Sequence, residues 1–161
     1  MRRSLTAAII VLALTASAAY GQGPKLTGDM EARKIVLDEN NREIAVPADQ
    51  VFPLDTIEYT MTYRNTGNAS AEGINLVGPI PDGTAYLDRT ATEIENVRPL
   101  FSIDGGKSFH EAPVTYVVVN DEGVEEIREA TPDMITHVQW RMDKGLEVGH
   151  ELVVSYRVQV R

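Results

Sequence analysis

The run Asp55-Thr-Ile-Glu-Tyr-Thr-Met-Thr-Tyr-Arg-Asn-Thr-Gly67 sets Ile57, Tyr59, Met61 and Tyr63 on one side of an extended chain, and Thr56, Glu58, Thr60, Thr62 and Arg64 on the other. A two-residue period of this length fits a half-buried β-strand and no helix, because successive side chains alternate across a pleat. The pattern returns near the end of the chain, where Leu152, Val154, Tyr156, Val158 and Val160 share a face, and in Val138, Trp140 and Met142. A tryptophan within such a set buries roughly 200 Å² and is expected in a core rather than on a binding platform.

Turn chemistry divides the rest. Lys34–Leu37 and Glu43–Val46 flank Asp38-Glu-Asn-Asn-Arg42, where Asn40-Asn41 tolerates positive φ, so 31–47 reads as an N-terminal hairpin. Asn65-Thr-Gly-Asn68, Pro79-Ile-Pro-Asp-Gly83, Asp104-Gly-Gly106 and Asn120-Asp-Glu-Gly123 are turns by composition. Short β-prone runs between them, at Ile74–Leu76, Ala85–Leu87, Leu100–Ile103 and Tyr116–Val119, complete the pattern of an all-β protein. Val124–Ala130 has helical propensity in a sheet-like neighbourhood and is read as a strand or an irregular segment. The expected domain is one β-sandwich of about seven to nine strands over 31–161, preceded by a flexible stretch over 22–30.

Arg2 and Arg3 lead into an uncharged, mostly apolar run from Leu5 to Leu14, followed by small residues up to Gly21. That order is a signal peptide over 1–21, cut after Gly21 or alternatively after Ala18. The apolar run falls short of the about 20 residues needed to span a bilayer, and no later segment is a candidate. Without the leader, 140 residues remain, enough for one core but not two. They carry 13 basic and 24 acidic side chains, a net charge of −11, and no cysteine. Such a surface repels phosphate backbones, which argues against nucleic-acid binding, and packing alone must hold the fold.

No residue earns a catalytic, cofactor or metal assignment. His110, His137 and His150 have no paired spacing, and Asp38, Glu39, Asp104, Asp121 and Glu122 lie in turns without the acidic alternation of a calcium loop. Ser102 and Ser108 lie near turns with no histidine at a diagnostic spacing and no Gly-x-Ser-x-Gly elbow.

Taken in order, Asp55-x-Ile-x-Tyr-x-Met-x-Tyr-x-Asn65-Thr-Gly67-Asn68-Ala69, then Pro79-Ile-Pro81-x-Gly83-Thr84, Val138-x-Trp140 and the alternating final run resemble a repeat of bacterial surface proteins, domain of unknown function eleven. The resemblance covers about 55–161 and implies an immunoglobulin-like β-sandwich, usually a stalk or wall module, here as a single stand-alone copy. It departs at Gly78, where members usually carry an aspartate, and at 107–133, which reads as an insertion.

Together these features predict an exported, non-catalytic module of the cell envelope, periplasmic or extracellular. It would contact an envelope protein or glycan through an edge strand or the turns near Asn65, Asp82 and Asp104. A periplasmic assembly factor or pilin-like subunit, its edge completed by another chain, is the alternative; a hydrolase is the third reading.

Overall fold

The computed structural model describes residues 23–161, so the expected leader over 1–21 lies outside the described residues. Ten strands form: β1 Leu26–Leu37, β2 Glu43–Pro47, β3 Thr56–Asn65, β4 Asn75–Pro79, β5 Thr84–Tyr86, β6 Val97–Ser102, β7 Thr115–Val119, β8 Glu125–Glu129, β9 His137–Met142 and β10 Glu151–Val160. The tenth strand beyond the expected count is β8, the segment whose propensity and neighbourhood disagree; pairing with β7 decides it. One helical turn, Pro132–Met134, completes the described elements, and no helix among them is long and apolar enough to cross a membrane.

The strands build a β-sandwich. One sheet has the order β2-β1-β3-β10-β5, the second β4-β9-β6, and β7-β8 is a separate two-stranded ribbon. The chain crosses between the two large sheets at β3 to β4, β4 to β5, β5 to β6 and β9 to β10, so each sheet is assembled from sequence-distant strands. Alternation then sends every second side chain of both sheets into a common interior.

Tyr156 sits at the centre of that interior. Its ring stacks on Tyr59 of the neighbouring strand at 5.4 Å, meets Trp140 of the opposite sheet at 6.0 Å, and its hydroxyl donates to the carbonyl of Pro79 at 2.6 Å. Trp140 is fully buried and its indole N–H donates to Thr92 O at 2.9 Å, so neither large polar aromatic leaves a donor unpaired. Gly78 explains itself here: a Cβ at that position would lie 2.6 Å from the Tyr156 ring, so a side chain such as aspartate has no room. Of the expected core, Ile57, Met61, Val138, Trp140, Leu152, Val154, Tyr156 and Val158 are buried. Tyr59 and Val160 are half-buried and pack against the cluster from its margin.

The lead over 22–30 is not free from Gly23 onward. Leu26–Met30 pair with Asn65–Met61 of β3, and the carbonyls of Lys25 and Gly23 accept from the backbone N–H groups of Thr66 and Asn68. Its Gly/Pro-containing composition suggested flexibility, but the pairing partner lies some forty residues away and leaves no local trace. Gly67 permits this approach, because a Cβ there would collide with the backbone of Gly23–Lys25.

Candidate interaction surface

The turns singled out from sequence prove to be mostly built inward. Asn65 is fully buried: its amide donates to Ala69 O and Leu146 O at 2.8 Å each, and its carbonyl oxygen accepts from Gly67 N at 3.0 Å. It ties the β3 turn to the loop before β10 and presents nothing to a partner. Asp38 closes the β1–β2 hairpin, accepting from the Arg42 guanidinium and from the backbone N–H groups of Asn40 and Arg42, and these bonds hold its carboxyl below the usual range. Asn120 plays the same part in the β7–β8 turn, accepting from Glu122 N and Val124 N. Asp82, Glu39, Asp121 and Glu122 are exposed in turns with no side-chain bond of their own.

Asp104 organises a cluster that spacing did not reveal. One carboxylate oxygen accepts from Ser102 Oγ at 2.7 Å and from Lys107 N and Ser108 N, and the other from Ser108 Oγ at 2.7 Å; His110 Nε2 lies 3.1 Å from that same hydroxyl. Serine, histidine and aspartate thus meet within nine residues. The order is wrong for nucleophile activation, however. Serine stands between the other two and gives its proton to a carboxylate held far below its ordinary range, chiefly by the Ser108 bonds, so that carboxylate is a poor base. The hydroxyl-to-carboxylate closure of a Gly-Gly turn accounts for the arrangement. Asp104 thus holds its loop together while staying exposed at the surface. His137 bonds Thr136 nearby, and no group of three or more metal-ligating side chains converges among the described residues.

Exposed surface of a different kind lies at the sandwich margins. Facing partners across the core are fixed by three contacts: the hypothetical Gly78 Cβ meets Met61 and Tyr156, Trp140 meets Tyr156, and Tyr86 meets Phe101 at 5.4 Å. So β4, β9 and β6 cover β3, β10 and β5, and no strand covers the inner face of β1 and β2; at its far end Lys34 pairs with Asp55 at 2.7 Å beneath the Phe52 ring. Leu26, Met30 and Ile44 on that overhang are 40%, 45% and 44% exposed. Beside it β4 is a bare edge, hydrogen-bonded only to β9. A groove of about 470 Å³ runs there between Leu26, Gly28 and Tyr63 on one side and Ile74 and Leu76 on the other. The outer margin of β10 beyond β5, by contrast, is closed by Leu87 N, Thr92 N and the hydroxyls of Thr90 and Thr92 bonding Arg157 and Ser155.

The opposite margin carries the β7–β8 arm. Val114 and Ile135 anchor its base in the core, but Val117, Val119 and Ile127 near its tip are 58%, 66% and 76% exposed on one face. Val117 and Ile127 are direct cross-strand partners. Between the arm's base and β6 lies a cleft of about 680 Å³ lined by Tyr86, Asp88, Arg89, Arg98, Phe101 and Glu111. Arg98 is engaged by Glu111 at 3.5 Å and Asp143 at 3.2 Å, so its charge is already paired within the chain. Burial pushes the Tyr86 phenol up from its ordinary pKa.

A family model described as the C-terminal permuted SH3 domain of RND MFPs matches residues 110–157. No curated protein and no solved structure matches. The matched stretch, under a third of the chain, is similar to a bacterial periplasmic membrane-fusion-protein domain. It is not the domain of unknown function eleven that the order of motifs resembles. Those motifs are strand alternation and turn chemistry, which any antiparallel sandwich of this length shares. Within this chain the matched strands β7 to β10 are spread over all three sheets, and Val138, Trp140, Val154 and Tyr156 pack on strands outside the match. The stretch is thus part of one sandwich, with no separate core of its own.

Proposed function

We propose that this protein is an exported, non-catalytic interaction and assembly module of the bacterial envelope that binds by completing its open sandwich margin. The observation that carries this is the mismatch of the two sheets, five strands against three, which leaves β4 as a bare edge beside the uncovered apolar face of β1. Backbone groups of such an edge bind an extended strand, and the neighbouring apolar face selects alternate side chains. The similarity of 110–157 to a membrane-fusion-protein domain supports a periplasmic setting, as does the leader read over 1–21. The bare edge favours an assembly role over a simple stalk. Binding rather than turnover is supported by the Asp104–Ser108–His110 order, which activates no nucleophile.

A photo-crosslinking residue placed at Asn75, exposed at the start of β4, tests this in cells. Capture of a discrete envelope protein, lost when the crosslinker is moved to the outer-face position Glu58, is the expected result. Hydrolysis of a peptide, ester or glycoside by the pure protein, abolished in Ser108→Ala, would contradict it.

A further inference from the structure

Two surfaces of this chain are incomplete in complementary ways. At one margin the sandwich lacks strands over β1 and β2, and the edge that would receive them, β4, is five residues long. At the other margin stands a two-stranded ribbon whose strands β7 and β8 are each five residues long, with free outer edges and a face on which Val117, Val119 and Ile127 form an apolar centre flanked by Glu125 and Glu129. A two-stranded hairpin is marginally stable alone and gains from a third strand. The arm cannot serve its own molecule, since β6 and β4 are opposite edges of the same three-stranded sheet.

We infer that the arm of one copy docks on the margin of the next, β7 pairing along β4 so that the three-stranded sheet becomes five-stranded and matches the sheet beneath it. Strands in a sheet lie about 4.8 Å apart and packed sheets about 10 Å apart, so a ribbon added at β4 lies over the inner face of β1 and reaches toward β2. Val117, Val119 and Ile127 then meet Leu26, Met30 and Ile44. Glu125 and Glu129 fall on β8, which becomes the new outer edge where water still reaches them. The contact joins unlike surfaces, so copies add head to tail instead of closing as a two-fold pair. Both partners are acidic, with a net charge of −9 over the whole sequence, so salt strengthens this contact by screening their repulsion.

This rests on the assembly reading above but fails separately from it. Sedimentation velocity of the exported chain at rising concentration should show species beyond the monomer, increasing with salt. Val117→Glu with Ile127→Glu removes the arm face, and Met30→Glu with Ile44→Glu removes the shelf; each variant alone should sediment as a monomer. Mixed in equal amounts, they should form a one-to-one dimer and stop there, because only one good arm and one good shelf remain. All four side chains are exposed in the single chain, so melting temperatures within a few degrees of wild type are expected; Val117→Ser and Met30→Ser are milder replacements should either variant unfold. A wild-type chain that stays monomeric to about 100 μM, micromolar self-association being the least a useful contact of this kind would show, overturns the inference. So does a mixture of the two variants that yields no dimer. A monomer that still crosslinks an envelope protein at Asn75 overturns self-docking while the assembly module stands.

Discussion

The strands around Tyr156 and the arm formed by β7 and β8 carry equally good β sequence, yet one is solid core and the other stands in solvent. Leu152-Val-Val-Ser-Tyr-Arg-Val-Gln-Val160 buries every second residue down to zero exposure at Val154, Tyr156 and Val158. Thr115-Tyr-Val-Val-Val119 leaves Val117 and Val119 mostly exposed. What separates them is neighbours across the sheet and above it: β10 lies between β3 and β5 and beneath Trp140, whereas β7 has only β8. Strand propensity reports a fit to a pleated surface; burial is decided by what the topology brings over it.

If that contrast is right, substitutions should scale with it. Trp140→Ala, at the best-covered position, should cost about 3–5 kcal/mol and leave the domain unfolded or nearly so, measured by denaturant melting. Retention of most of the stability would mean that the two sheets do not share one core. Asn65→Ala follows, at about 2–3 kcal/mol, because it strands the Ala69 carbonyl and the Gly67 N–H and leaves Leu146 O with only its Ala71 bond.

Tyr156→Phe comes next, at about 1 kcal/mol near neutral pH for the lost bond to Pro79. This variant also has a pH signature. Burial raises the Tyr156 phenol pKa, so the folded state resists its ionisation while the unfolded chain, at its ordinary value near 10, does not. Stability from this group is therefore complete below about pH 10 and is lost as pH rises above it. Wild type should lose stability in alkali more steeply than Tyr156→Phe, which keeps only the smaller dependence from Tyr59 and Tyr86. Equal slopes would place Tyr156 in contact with water.

The smallest effect belongs to the arm. Val117→Ser and Ile127→Ser should change the stability of dilute protein by no more than about 0.5 kcal/mol, as surface substitutions do. A loss of several kcal/mol there would show the arm folded against its own sandwich.

Alternation made the body legible from sequence: the faces of β3, β9 and β10 follow from parity alone, and the buried tryptophan follows with them. Three features were not legible because their causes are non-local. Leu26–Met30 became a strand through β3, the width difference between the sheets came from strand order, and the arm's exposure came from a lack of neighbours. Turn residues were recognised as turns, yet which of them face inward depended on distant carbonyls such as Leu146 for Asn65. The Asp104–Ser108–His110 cluster was readable in principle, since Ser-x-Asp-Gly-Gly-Lys-Ser-x-His is local; its signal is the Gly-Gly turn that folds the serines back onto the aspartate.

Hydrogen exchange of the backbone amides, followed by mass spectrometry on dilute protein, reads the body and the arm in one experiment. Amides of β3, β9 and β10 should exchange only through global opening, while those of Thr115–Val119 and Glu125–Glu129 exchange orders of magnitude faster, through local fraying of a two-stranded ribbon. Protection of the arm equal to that of β10 at the same dilution would contradict the division of this molecule into a closed scaffold and an open, association-ready margin.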